Sequence, residues 1–423
     1  MHHPRIFRDN VDSLRDAMRR RRKLDEFAPL IDRGVALDLE RRSVIQAVEE
    51  RKAARNANSQ EVARRKKAGE PAAELMAAGR QLGEEIQRLE GELAAAEAEL
   101  NGILLGMPNV TLADVPAGGE EANTVVRSWG MPRPAAGVKP HWEIGEALGI
   151  LDLQRGAKIS GSGFVVFRGL GARLTRALMN FFIDTHVREH GYEETWVPVV
   201  VNRASMIGTS QLPKFEEDMY ALRDEDLFLI PTAEVPVTNL YRDEILDAGS
   251  LPRGFVAYTP CFRREAGAAG KDTRGLLRVH EFDKVEMVRY CTPEQGDEEH
   301  ERLTRHAEIL LERLGLPYRR VLLAAGDTGF GAARCYDLEC WAPGVEKWLE
   351  VSSCSTFTDF QARRANIRYR PATGDKPLFI HTLNGSGLAF PRVIACLLEH
   401  YQQPDGHVTV PEVLRPYLGV EVL

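Results

Sequence analysis

His381-Thr382-Leu383-Asn384-Gly385-Ser386-Gly387-Leu388-Ala389-Phe390-Pro391-Arg392 runs without interruption into Val393–Tyr401. The stretch reads as a glycine-containing strand that turns into a helix, with Pro391 in the first turn, where its missing N–H is no loss. Arg392 shares that turn, although the helix dipole repels cations there. A residue placed against its local preference points to an anionic ligand, and equally to a guanidinium reaching into solvent. The two readings weigh the same on this feature alone.

A second cluster lies upstream. Cys261-Phe262-Arg263-Arg264-Glu265 is followed by a loop with Gly267, Gly270 and Gly275, and then by Arg278-Val279-His280-Glu281-Phe282-Asp283-Lys284-Val285-Glu286. Two strand-like segments joined by a cationic loop form a hairpin carrying Arg263, Arg264, Arg274 and Arg278. Guanidinium forks suit triphosphate through charge-assisted bonds. An isolated F-R-R-E is more often a solvated surface hairpin. Leu174 to His190 reads as an amphipathic helix, followed by a strand that includes Pro198.

Strand-like runs recur from Gly161 onward: Phe164–Phe167, Thr195–Val201, Phe255–Tyr258, Val285–Tyr290 and Lys347–Ser352. They do not alternate regularly with helices, as a doubly wound parallel sheet requires. A mostly antiparallel sheet flanked by helices fits better. Ahead of it the chain differs. Residues 1–110 are rich in Ala, Glu, Arg and Leu, and Leu82, Ile86, Leu89, Leu93, Ala96, Leu100 and Ile103 alternate steps of four and three, the a/d seam of a coiled coil. Leu37 to Lys67 is also helix-compatible, with Val44, Val48 and Val62 as weaker seam positions. Ala68-Gly69-Glu70-Pro71 between the two spells a helix stop and a restart, hence a helical hairpin. Arms of about 30 residues would reach roughly 45 Å. The first arm is basic, with Arg55, Arg64, Arg65, Lys66 and Lys67 toward the tip, and the second is acidic. Opposite charges across the seam would hold the register; a cationic tip would also meet phosphate. The first reading leads for a hairpin considered alone. Residues 104 to 130, with Pro108, Pro116, Gly118 and Gly119, lose the helical pattern. The chain therefore divides into a coiled-coil arm (1–110), a linker (111–160) and a main domain (161–423), an α+β organisation.

Bulk properties narrow the class. A length of 423 residues exceeds one ordinary core. Net charge of −7 argues against general nucleic-acid coating but leaves a local basic surface open. The six cysteines (261, 291, 335, 340, 354 and 396) form no C-x-x-C, and no histidine cluster has ligand spacing, so no zinc site is expected. Scattered cysteines without an apolar leader suggest reduced thiols in a cytoplasm. No apolar run approaches the roughly 18 residues of a membrane span. There is no P-loop and no nucleophile elbow; Gly161-Ser162-Gly163 precedes a strand rather than a helix and reads as a turn.

Together, the helix-strand-Pro segment, the F-R-R-E hairpin and the G-L-A-x-x-R strand-helix resemble motifs 1, 2 and 3 of the class II aminoacyl-tRNA synthetases. Thr232-Ala233-Glu234, Glu350-Val351-Ser352-Ser353, the coiled-coil hairpin and the Val410–Leu418 ending are similar to seryl-tRNA synthetases of the bacterial type. The resemblance spans the whole chain. It implies activation of L-serine by ATP to seryl-adenylate and transfer to tRNA(Ser), and the family suggests tRNA(Sec) as well.

Residue by residue, the resemblance implies that Arg263 bridges the α-phosphate and the serine carboxylate, that Glu265 accepts from the adenine amino group, and that Phe282 stacks on the ring. Arg278 and Arg392 would hold the outer phosphates, with Arg264, Val279, Val351 and Ser352 completing the ATP site. Glu350 and Ser353 would hold Mg²⁺. Thr232, Ala233, Glu234, Glu286, Asn384 and Ser386 would line the serine pocket, with Glu286 on the ammonium, the hydroxyl or both. Arg263, Glu265 and Arg392 carry the catalytic role. The arm becomes the tRNA-binding element, through Arg55, Arg64, Arg65, Lys66 and Lys67, and the protein a cytoplasmic homodimer. Related enzymes for glycine, threonine or proline lack this hairpin, carrier-protein ligases lack the long arm, and a dead synthetase would have lost Arg263, Glu265, Glu350 or Arg392.

Overall fold

The a/d leucines and isoleucines of the N-terminal region can leave water only against a partner helix, and they do. In the computed structural model, which describes residues 1–266, 274–372 and 374–423, α1 (Leu24–Ala68) and α2 (Ala73–Gly106) form an antiparallel pair. Ile86, Leu89, Ala96, Leu100 and Ile103 are buried between them, with Val48 opposite. Gly69, at a φ of 73°, closes α1, and the Glu70 N–H donates to the Arg65 carbonyl at 2.9 Å. The arms are longer than the roughly 30 residues expected: 45 and 34, or about 68 and 51 Å at helical rise. The extension passes through Pro29 and Gly34, ahead of the helix-compatible stretch that begins at Leu37. Pro29 lies one turn inside the helix start and forgoes a single bond. Gly34 is required, because a Cβ there would come within 2.5 Å of the Phe7 ring.

Charges across the pair complement each other. Arg33 meets Glu99 at 2.5 Å, Arg41 meets Glu97 at 2.8 Å, and Arg51 and Lys52 meet Glu85 and Glu90, both at 2.7 Å. Nearer the tip, Arg64 and Arg65 share Glu61 on their own helix. Among the described residues, Arg55, Lys66 and Lys67 have no ion pair within 4.0 Å.

The chain divides into two compact units, His2–Met107 and Pro108–Leu423 together with Met1. In the larger unit the described residues include an eight-stranded sheet: β1 (Thr124–Trp129), β2 (Glu193–Glu194), β3 (Arg253–Phe262), β4 (Glu281–Cys291), β5 (Tyr318–Leu322), β6 (Arg334–Ala342), β7 (Lys347–Thr356) and β8 (His381–Ala389). The spatial order is β1-β5-β6-β7-β8-β4-β3-β2, antiparallel throughout except for β2 and β3. Strand β1 lies within the segment read as a linker. Five of its six residues are exposed on an edge, so no alternating pattern announced it.

Helices α3 (Leu170–Arg188), α4 (Glu234–Thr238), α5 (Gly296–Arg313), α6 (Phe360–Ala365) and α7 (Phe390–Tyr401) surround the sheet. Gly385 and Gly387 show how closely two of them approach. A Cβ on Gly385 would lie 2.4 Å from Leu303 of α5, and one on Gly387 would lie 2.4 Å from His186 of α3. One face of β8 is therefore covered by helices. Its alternate residues, Asn384 and Ser386, face the other way, into a cleft. Ser386 pairs with Glu286 across the strands, which carries Phe282, Lys284 and Glu286 to the same side. Gly267 and Gly270 lie outside the described residues. No described helix is long and apolar enough to cross a membrane.

Candidate active site

A cleft of about 680 Å³ opens on this face of the sheet. One end is polar and deeply buried. Thr232, Glu234, Glu286, Asn384 and Ser386 line it together with Lys284. Lys284 Nζ lies 2.7 Å from Thr232 Oγ1 and 2.5 Å from Glu286 Oε2. That carboxylate oxygen has no aligned hydrogen-bond donor, although Glu286 is only 2% exposed. Glu234 Oε1 accepts from Gln361 Nε2 at 2.6 Å. Burial, and then the charge of Glu286, pushes the Glu234 carboxyl up to about 7.

The other end is cationic and wider. Arg263, Glu265, Arg278, Val279, Phe282, Glu350, Val351, Ser352, Ser353 and Arg392 line it. The Arg263 guanidinium lies 5.2 Å from the centroid of the Phe282 ring, and its Nε donates to the Pro231 carbonyl at 3.3 Å. Arg278 donates to Glu265, which adopts a left-handed φ of 51°. Arg392 leaves the first turn of α7 and donates to the Glu350 carbonyl at 2.8 Å, to Glu350 Oε2 at 3.3 Å and to the Leu277 carbonyl at 3.1 Å. Its position against the dipole is thus matched by an acidic partner inside the cleft.

Glu350 and Ser353 stand three apart on β7, a spacing that puts two side chains on opposite faces of a regular strand. A register shift intervenes: Glu350 pairs with Glu339, but Ser352 pairs with Leu338 and Ser353 with Asp337. The extra residue, Val351, restores Glu350 and Ser353 to one face. A carboxylate and a hydroxyl that both line the cleft are oxygen donors of the kind a hard divalent cation takes; the Ser353 hydroxyl also lies 3.0 Å from Cys335 Sγ. Among the described residues no group of three or more His, Cys, Asp or Glu side chains is arranged to hold a metal.

Two residues of the expected set do not reach the cleft. Arg264 points away, donating to the Glu217 carbonyl at 3.1 Å, because it follows Arg263 in extended chain and takes the opposite side. Ala233 is fully buried beneath the pocket. Sequence reasoning missed Lys284, whose signal was its place between Phe282 and Glu286 on one strand face. It also missed the wall formed by Thr209–Gln211 and Gly329–Ala332.

Comparison with known proteins joins the two units. Residues 1–111 match the seryl-tRNA synthetase N-terminal domain, and residues 214–401 match the class II tRNA synthetase core domain for G, H, P, S and T. A serine--tRNA ligase of Gemmatimonas aurantiaca is 65% identical over the full length of both chains. The chain belongs to the seryl-tRNA synthetase family. Its activity is that of a class II serine--tRNA ligase. The crystal structure of seryl-tRNA synthetase from Pyrococcus horikoshii complexed with ATP superposes with a TM-score of 0.95 at 38% identity, covering 100% of this chain and 99% of that one. A cytoplasmic serine-tRNA ligase of Naegleria fowleri in complex with AMP gives 0.89 at 30% identity, covering 100% and 98%.

Proposed function

We propose that the cleft activates L-serine with ATP, forming seryl-adenylate and pyrophosphate, and that the same site passes the seryl group to the terminal ribose of tRNA(Ser). The observation that carries this reading is the joining of two unlike ends in one cleft. A small buried pocket of Thr232, Glu286, Asn384 and Ser386 opens directly onto Arg263 and the cationic end.

Glu286, buried in the pocket and already beside the Lys284 ammonium, takes the serine ammonium as a second cationic partner. Thr232, Glu234, Asn384 and Ser386 supply hydroxyl, carboxyl and amide groups around the ligand. Arg263 stands between the two ends, where it holds the serine carboxylate and the α-phosphate together. Fixed positive charge at that point stabilises the extra negative charge that builds on the pentacoordinate phosphorus. Phe282 offers its ring to adenine, Glu265 accepts from the adenine amino group, and Arg278 and Arg392 take the outer phosphates. Arg278 is held by Glu265 and Arg392 by Glu350, and both guanidinium groups line the cleft.

Glu350 and Ser353 would hold Mg²⁺, which supplies charge neutralisation along the polyphosphate when bound. No protein nucleophile is required; alignment supplies much of the rate.

In the arm, Arg55, Lys66 and Lys67 are the best placed for tRNA phosphates, because Arg64 and Arg65 already share Glu61. Recognition is mainly of backbone and shape. The protein acts as a homodimer in the cytoplasm. Its six cysteines, all unpaired and buried, suit a reducing compartment.

The test is aminoacylation with radiolabelled serine and transcripts of tRNA(Ser), tRNA(Sec) and a tRNA without a long extra arm. Charging of the first two alone is expected. Equal charging of the third would contradict the role given to the arm.

A further inference from the structure

The serine pocket holds two buried carboxyl groups and one cation. Glu234 is 7% exposed and Glu286 is 2% exposed, while Lys284, at 5%, is the ammonium between them. Lys284 contacts Glu286 and Thr232, leaving Glu234 with neutral partners, Gln361 and Asn384. The amide orientation is fixed from behind: Gln361 Oε1 accepts from Thr382 Oγ1 at 2.7 Å, which turns its NH₂ toward Glu234. The pocket therefore holds two buried carboxyl groups against one ammonium, which lies on Glu286; Glu234 has only neutral amide donors in contact and feels the Lys284 charge from beyond ion-pair distance.

We propose that serine binding in this chain is coupled to the loss of one proton from the Glu234 carboxyl to solvent, the ligand's ammonium taking the place of that proton in the charge balance of the pocket. The inference rests on the reading of this pocket as the serine site. Burial and the negative charge of Glu286 push the Glu234 carboxyl up to about 7, against the opposing pull of Gln361, Lys284 and Asn384. A second ammonium beside Glu286 reverses that repulsion and favours ionised Glu234.

The groups facing Glu234 are consistent with a single exchangeable proton. Lys284 and Glu286 approach from β4, Gln361 from α6, Asn384 and Ser386 from β8, and Thr232 from the turn ahead of α4. The Cys261 thiol on β3 is pushed up by burial and stays neutral. Arg263 lies further along the cleft, where the serine carboxylate balances it. The step breaks the O–H bond of Glu234 and delivers its proton to buffer, with no redox change.

Two readouts follow. The ionised fraction of a group titrating near 7 rises from about one tenth at pH 6 to about nine tenths at pH 8, so the KM for serine should fall about tenfold over that interval. The KM for ATP should lack this step. Calorimetric titration of L-serine into the full-length protein with Mg²⁺ and α,β-methylene-ATP at pH 7 should give apparent enthalpies that differ between phosphate and Tris, corresponding to release of about half a proton. Glu234→Gln should abolish the buffer dependence and flatten the pH profile. Because the wild-type measurements stand alone, poor folding of the variant leaves the test intact. Identical heats in both buffers, or a serine KM flat from pH 6 to 8, would overturn the proposal while serine-dependent pyrophosphate exchange persists. Loss of that exchange would instead overturn the serine reading.

Discussion

Gly387 links the packing of the sheet to the serine pocket, and Gly387→Ala should damage both. The added Cβ would lie 2.4 Å from His186 Nε2 and 3.1 Å from its Cδ2, whereas ordinary contact begins near 3.4 Å. His186 cannot yield easily. It is fully buried, its Nδ1 is 2.9 Å from His190 Nδ1, and the His190 ring stacks on His306 at 4.0 Å. The strand must move instead, at a cost of roughly 1–3 kcal/mol, or a factor of roughly 5 to 150 in the unfolding equilibrium. Ser386 immediately precedes Gly387, so the same shift displaces a pocket residue and should raise the KM for serine more than that for ATP. All five tryptophans lie beyond residue 107, at 129, 142, 196, 341 and 348, so urea denaturation followed by their fluorescence reports the larger unit. His186→Ala removes the obstructing ring. The double variant should be more stable than the sum of the single effects by more than about 0.5 kcal/mol. Wild-type stability and an unchanged serine KM in Gly387→Ala would refute the packing argument.

Other consequences are equally direct. Arg263→Ala and Arg392→Ala should each lower the pyrophosphate-exchange rate roughly 10²- to 10³-fold, the usual effect of removing a fixed group aimed at developing charge; a loss under tenfold would remove that residue from the catalytic set. Replacing Arg55, Lys66 and Lys67 with alanine should weaken tRNA(Ser) binding and reduce its log–log salt slope by roughly one for each phosphate no longer neutralised, while an unchanged slope would place the phosphate-binding surface elsewhere. Burial, reinforced by the charge of Arg334, holds His300 down to about 3, so the unfolded chain takes up a proton near 6.5 that the folded chain refuses. Stability of the larger unit should therefore fall as pH drops from about 6.5 toward 3, His300 contributing at most about 1.4 kcal/mol per pH unit; His300→Gln should show a shallower slope, and equal slopes would contradict its buried neutral state.

The parts of the molecule legible in its sequence are those governed by local periodicity or by several chemically unusual residues in order. The a/d seam of α2 identified the arm, and the run from His381 to Arg392 identified the strand-to-helix turn. Features set by neighbours in space were not legible. The bulge at Val351 depends on pairing with β6, and without it Glu350 and Ser353 would face apart. Arg264 looked equivalent to Arg263, yet alternation along extended chain separates them. Gln361 arrives from α6, more than a hundred residues after Glu234, and no spacing announces it. Lys284 was within reach, since Phe282, Lys284 and Glu286 share one parity on β4. The sequence reads β8 as a glycine-containing strand without saying why the glycines are there; Gly385 and Gly387 admit Leu303 and His186 from the helix-covered side.

The most direct measurement is ATP–pyrophosphate exchange by the purified full-length protein with Mg²⁺ and each of serine, threonine, glycine, alanine and proline. Serine should support exchange and alanine should not, because burying the pocket's polar groups without a hydroxyl leaves them unpaired. Threonine should trail serine by roughly 10- to 200-fold, the discrimination that one extra methyl permits. Exchange with another amino acid in preference to serine would contradict the pocket built on Glu286 and Ser386, and no exchange from folded protein would contradict the activation chemistry assigned to the cleft.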